Sequence, residues 1–288
     1  MNETVVPFYY SPKASVIDGV SDVYLALAAP VLAYWSLSLL FHGLDISGWQ
    51  WLDKYRIHES EQVKSRNLVT RAQVVYAVVF QQFIQTALGY FWMSNDQSSA
   101  HDYSLKMYDI AVLIKPWLVH AFGEQVGPVA VRNLTYYIYW WFIPSVQLLF
   151  GMSVSNKLLK EMLTSVRFFI DTWQYFLHRF MHVNKFLYRH FHSWHHRLYV
   201  PYAFGSLYNH PVEGFLLDTL GAALAEALSG MTIRQAMLLF CLSTFKTVDD
   251  HCGYRLPLDP LQMITSNNAD YHDIHHQVRF AFACLMHD

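Results

Sequence analysis

The chain has 288 residues, of which 53% are hydrophobic, 17% aromatic and only 15% charged, with a formal net charge of -2. A soluble domain carries roughly 25% charged residues, and a nucleic-acid partner calls for a basic patch that this balance does not supply. The three cysteines, Cys241, Cys252 and Cys284, show no CxxC spacing, which argues against a disulfide framework or a zinc ribbon.

Three uncharged runs near 23–41, 72–93 and 134–152 are long enough to cross a hydrocarbon core, which takes roughly 20 helical residues. Pro144 interrupts the third, a kink that a membrane helix tolerates. The first run lacks a basic leader and does not read as a signal peptide. Between the first two runs lie Lys54, Arg56, Lys64, Arg66 and Arg71; the longer segment between the second and third has only Lys106, Lys115 and Arg132. The positive-inside rule therefore places the first loop in the cytosol, and the third run returns the chain there at Lys157. Residues 1–156 read as an N-terminal transmembrane region and 157–288 as a separate region, cytosol-facing, whose stretch near 214–248 reads as a membrane-associated helical hairpin. The expected fold is all-α and polytopic, with three to four transmembrane helices.

Histidine marks the second region. Eleven of the sixteen histidines lie from His178 to His276. The boxes "HRFMH" (His178, His182), "HSWHH" (His192, His195, His196) and "HDIHH" (His272, His275, His276) space their imidazoles by three and four, which puts them on one face of an α-helix. One such pair is often coincidence. Eight imidazoles on a largely apolar chain, left uncoordinated, would bury polar nitrogens without compensation. Metal ligation explains them together, and eight ligands exceed the four of one zinc site, so two metals are expected. Imidazole suits zinc, copper, iron or nickel; iron is favoured because alkyl substrates at a membrane yield only to an oxygen-derived oxidant. Candidates for orienting the ligand rings are Asp171 and Gln174, ahead of His178 on its helix face, with Asp250 beside His251 and Asp273 beside His272.

The order HxxxH, HxxHH, HxxHH after several spans resembles the fatty acid hydroxylase superfamily of membrane di-iron enzymes, which also holds sterol oxidases and desaturases. The strings "DTWQYFLHRFMH", "NHPVEGFLLDTLG", "KTVDDHCGY" and "NNADYHDIHHQ" resemble its fungal sphinganine C4-hydroxylase branch. That resemblance implies a di-iron centre on His178, His182, His192, His195, His196, His272, His275 and His276, and adds His210 and His251, which spacing alone does not select. It implies an O2-dependent monooxygenase that hydroxylates C4 of sphinganine or dihydroceramide to give phytosphingosine or phytoceramide, with electrons from NAD(P)H through cytochrome b5 and its reductase. It also implies an endoplasmic reticulum membrane location, with the boxes facing the cytosol.

After residue 277 the sequence departs from that pattern. Where the family continues with a segment of the kind G-I-K-x-N-F-x-Q-P-F, this chain reads "VRFAFACLMHD". If that segment closes the substrate channel, an altered C-terminus is expected to hold iron yet turn over poorly. The competing classes are a sterol or fatty-acyl oxidase of the same superfamily, a regulatory protein with a degenerate site, and a His-rich metal transporter. A zinc hydrolase lacks support, since no HExxH occurs.

Overall fold

A computed structural model describes residues 15–94, 103–138, 142, 169–229, 233–264 and 268–277. Among these the chain is helical, without strands; two isolated bridges pair Ile17 with Val20 and Arg56 with Tyr254. Helix α1 (Asp22–Ile46) is apolar around its whole circumference and takes Pro30 into its interior. Two short helices, α2 (Gln50–Asp53) and α3 (Ser60–Arg66), lead into α4 (Arg71–Ser94).

Asp22–Ile46 and Arg71–Met93 are long and apolar enough to cross a membrane, and they cover the runs expected near 23–41 and 72–93. At 1.5 Å per residue the shorter spans about 34 Å, against a hydrocarbon core of about 30 Å. The exposed face of α4 is apolar, unlike that of a soluble helix. Its Tyr76 and Phe83 are 79% and 72% exposed, whereas Gln81 and Gln82 are buried. An outward aromatic face, with valines and glutamines together on the buried one, suits lipid outside and protein inside.

The run near 134–152 lies outside the described residues except at residue 142 and at its start, which ends helix α5 (Tyr103–Tyr137). That helix was not expected. Its sequence carries Lys106, Lys115, Pro116 and Pro128, which mask the helical pattern, and it bends at Gly123, whose φ of 75° only glycine adopts freely.

The remaining helices are α6 (Phe169–Val183), α7 (Lys185–His190), α8 (Pro211–Gly214), α9 (Gly221–Ser229), α10 (Ile233–Asp250), α11 (Pro260–Ile264) and α12 (Ala269–Gln277). Between α7 and α8 come two 3-10 turns, His192–Arg197 and Ala203–Leu207, and a π-helical turn, Phe215–Leu220, joins α8 to α9. The stretch expected near 214–248 is thus helical on both sides of residues 230–232, which lie outside the described set.

The chain divides into two compact units. One draws on Met1–Ala26, Tyr90–Thr172 and Ala222–Leu239; the other comprises Leu27–Gly89, Trp173–Gly221 and Phe240–Asp288 and holds every His box. In the second unit Tyr34 and Phe41 of α1, Val78 of α4, Phe204, Val248 and Tyr254 share one apolar core. Polar pins fix it. The Tyr34 hydroxyl donates to the Phe204 carbonyl at 2.8 Å. Asn67, at the end of α3, exchanges two hydrogen bonds with the backbone of Val200, at 2.9 and 2.8 Å. Such bonds contribute about 1 kcal/mol each, and here they tie α1 and the loop between α1 and α4 to the segment following the second box.

Candidate metal centre

Each box enters the site on its own element. His178 and His182 project from one face of α6 at i,i+4. Asn184 then caps α7, its Oδ1 accepting from the Phe186 and Leu187 amides at 2.9 and 3.1 Å. The second box is not α-helical, as its spacing suggested. His192–Arg197 winds as a 3-10 turn, closed by i to i+3 bonds from Trp194 N–H to Phe191 O and from Leu198 N–H to His195 O. The third box rides on α12.

The imidazoles sort into two groups of four that cut across the boxes. His178, His182, His192 and His275 form the first, and His195, His251, His272 and His276 the second; within each, the ligand atoms lie within 4.8 Å of one another. In the first, Nε2 of His275 stands 3.0 Å from Nε2 of His178 and 3.1 Å from that of His182, and His192 Nε2 lies 2.8 Å from His182 Nε2. In the second, Nε2 of His276 and His272 are 3.0 Å apart, and those of His251 and His195 3.4 Å. His196 belongs to neither group. Its Nε2 stands 3.0 Å from that of His192 and 3.3 Å from that of His182, and its ring lies 4.8 Å from that of His276.

Burial sets the protonation of these rings. It drives His182, His192 and His275 down to about 3 and His195 to about 4, with neighbouring imidazoles adding to the shift for all but His192. His178, His196, His251, His272 and His276 are lowered well below the ordinary value for the same reasons. At neutral pH each ring is therefore neutral, with one N–H and one lone pair.

Outer contacts decide which nitrogen keeps the proton. His192 Nδ1–H donates to Glu213 Oε1 at 2.5 Å, His195 Nδ1–H to the Tyr208 carbonyl at 3.2 Å, and His251 Nδ1–H to the Thr247 carbonyl at 2.7 Å. Their Nε2 lone pairs are left pointing inward, at one another. Converging lone pairs repel unless a cation lies between them, and four neutral imidazoles with Nδ1 anchored behind them form the donor set of a metal site. The residues fit two metal ions, four histidines to each.

The other candidates lie elsewhere. His210 stands outside both groups: its Nδ1 accepts from the Val212 amide at 3.2 Å, capping α8, and its ring packs on Phe191 and Trp194. Asp273 takes no cluster ring either; it pairs with His58 Nε2 at 2.9 Å and accepts from Gln277 at 2.6 Å. Asp250 accepts from Lys246. Gln174 lies one turn before His178 and is half-buried, and the side chain of Asp171 falls outside those described. Glu213, 1% exposed, was missed from the sequence, as was His58. Only the string "NHPVEG" hinted at Glu213; nothing hinted at His58, which lies 215 residues from its partner.

Comparison with known proteins gives consistent results. The family model described as fatty acid hydroxylase matches residues 163–285. A sphingolipid C4-hydroxylase of Saccharomyces cerevisiae is 47% identical, over 92% of this chain and 68% of its own length. A sphinganine C4-monooxygenase of Arabidopsis thaliana is 38% identical, over 90% of this chain and 80% of its own length. A rice protein named very-long-chain aldehyde decarbonylase is also 38% identical, over 90% of this chain and 81% of its own length. No solved structure matches.

Proposed function

The chain belongs to the fatty acid hydroxylase family, and from that premise we propose that it is a membrane-bound sphingolipid C4-hydroxylase. Its substrate on this reading is sphinganine or the sphinganine moiety of dihydroceramide, and its product the 4-hydroxylated base. The observation that carries it is the division of eight histidines into two groups of four, since a single structural metal needs only one such group.

The first group would hold one iron through His178, His182, His192 and His275, and the second another through His195, His251, His272 and His276. Bound there, the two irons would supply the activation of O2 and the two-electron oxidation of an unactivated C–H bond. Overall, one oxygen atom would enter the C4–H bond and the other leave as water, with two electrons from NAD(P)H relayed one at a time through cytochrome b5 and two protons taken from solvent.

The protein's own part is placement. Glu213 and the carbonyls of Tyr208 and Thr247 hold three rings in one tautomer and one orientation. Burial keeps water from His192, which is fully buried, and from His276, 2% exposed, and it holds the ligand rings unprotonated. On this reading the α1 and α4 spans hold the site at a bilayer, where a long-chain base resides; the basic loop between them supports a cytosolic face for the site, and the endoplasmic reticulum is the membrane proposed.

Mass spectrometry of long-chain bases tests this, in a host lacking its own C4-hydroxylase and expressing the chain beside His275→Ala. The expected result is 4-hydroxylated base from the chain and none from the variant. The name of the rice relative makes aldehyde cleavage the competing chemistry. A hydrocarbon one carbon shorter than a supplied aldehyde, with no hydroxylated base, would replace the proposal with that one.

A further inference from the structure

A second polar cluster lies on the turn that carries Glu213, and the protein leaves it incompletely paired. Gln81 of α4 is 2% exposed, and neither atom of its amide has a partner among the described residues. The Oε2 of Glu213 and the hydroxyl of Thr219 are likewise buried without one. Among the described residues Asp218 meets only Gln85 Nε2, at 3.5 Å, the outer limit of a hydrogen bond. A buried polar group left unpaired costs about 1–3 kcal/mol, so several together on one turn point to a ligand that completes them.

The turn is shaped for close approach. Gly214 presents no side chain, and a Cβ there would stand 2.4 to 2.8 Å from the Gln81 amide atoms, so the amide lies directly against the backbone next to Glu213. The chain then widens into the π-helical turn Phe215–Leu220, a local form that recurs at functional sites. Trp173 holds that turn open, donating from Nε1 to the Leu216 carbonyl at 2.8 Å and packing over Gly221.

The chemistry of the cluster is specific. It offers two carboxylates, two primary amides and a hydroxyl, and neither acid has a lysine or arginine partner among the described residues. Burial, reinforced by Glu213, pushes the Asp218 carboxyl up to about 7, the mark of an acid that lacks a cation. A free long-chain base brings the complement: an ammonium at C2 between hydroxyls at C1 and C3, directly beside C4. Glu213 joins the two sites, since its other oxygen already holds the ligand ring of His192.

We propose that Asp218, Gln81, Gln85 and Thr219 form the head-group site for the free long-chain base, the ammonium on Asp218 and the hydroxyls on Gln81 and Thr219. This rests on the function proposed above and narrows its substrate, because N-acylation turns the ammonium into a neutral amide that has no use for the acid. The site binds the free base in preference to the ceramide.

Equilibrium binding of radiolabelled sphinganine and N-acetylsphinganine to the purified, iron-loaded full chain tests the assignment. Asp218→Asn keeps the Gln85 contact and removes the charge. It should weaken sphinganine at least tenfold and N-acetylsphinganine less than twofold, with iron content and thermal midpoint unchanged. Gln81→Met, which removes the amide at matched length, should weaken both ligands about fivefold. Wild-type affinity for sphinganine in either variant, or an equal loss of both ligands in Asp218→Asn, overturns the site. A wild-type chain that binds neither ligand and makes no hydroxylated base overturns the function as well, whereas one that hydroxylates while both variants bind normally overturns the site alone.

Discussion

The two histidine groups are built from the same residue type yet anchored differently. The first, with His178, His182 and His275 half-buried, has a carboxylate behind one of its rings, that of Glu213 on His192. The second, with all but His272 buried, is anchored by backbone carbonyls, those of Tyr208 and Thr247. A carboxylate makes the ring in front of it more basic and can be altered by a single mutation; a carbonyl belongs to the fold. The first group is thus the more open and adjustable, and the second the more closed.

The comparison breaks most sharply at the ligands. Replacing His275 by Ala should remove one iron of two and lower product formation more than about a hundredfold, beyond the 10–100-fold loss that follows removal of an outer partner; metal analysis and turnover check both. Glu213→Gln should weaken one iron by about 10–100-fold and leave the other at wild-type affinity, as a two-phase chelator titration would show. Equal weakening of both irons would dissolve the distinction between the groups.

Acid should act on the metal-free protein through the same rings. The folded values of His182, His192, His275 and His195 lie near 3 to 4, below the 6.5 of an unfolded chain. The unfolded state therefore binds more protons in that interval. The stability these rings allow is fully present above pH 6.5 and is lost as pH falls from there toward 4. Thermal midpoints of iron-stripped protein should drop steeply across that window, and restored iron should raise them throughout without flattening the drop, because the unfolded chain takes up the same protons.

Smaller effects sharpen the picture. His58→Ala removes the partner that Asp273 takes across 215 residues, and should cost about 1–2 kcal/mol of stability without changing the iron count. His210→Ala loses a helix cap and should cost about 1 kcal/mol with both irons kept. Loss of an iron in His210→Ala would place that ring among the ligands after all.

Much of this was legible in the sequence because it follows from composition or short spacing. Uncharged runs of membrane length announced α1 and α4, and three clustered boxes announced a polyhistidine metal site. The assignment of rings to groups was not legible. His192 and His195 are eclipsed on a 3-10 turn yet serve different groups, and His275 and His276, adjacent on α12, part in the same way. That division depends on where α6, α10 and α12 meet, which is tertiary information. The same holds for His251, which no box contains and which only family resemblance suggested, and for Glu213, whose role appears when α8 meets the second box. Helix α5 escaped notice because its prolines and lysines break the apolar pattern on which the spans were recognised.

Iron stoichiometry of the purified chain, with Mössbauer spectroscopy of the enriched protein, tests the central claim most directly. Two irons per chain, reduced to one by His275→Ala and to one by His276→Ala, is the result that two four-histidine groups require. A single metal per chain, lost entirely in either variant, would contradict it and leave one site where the geometry places two.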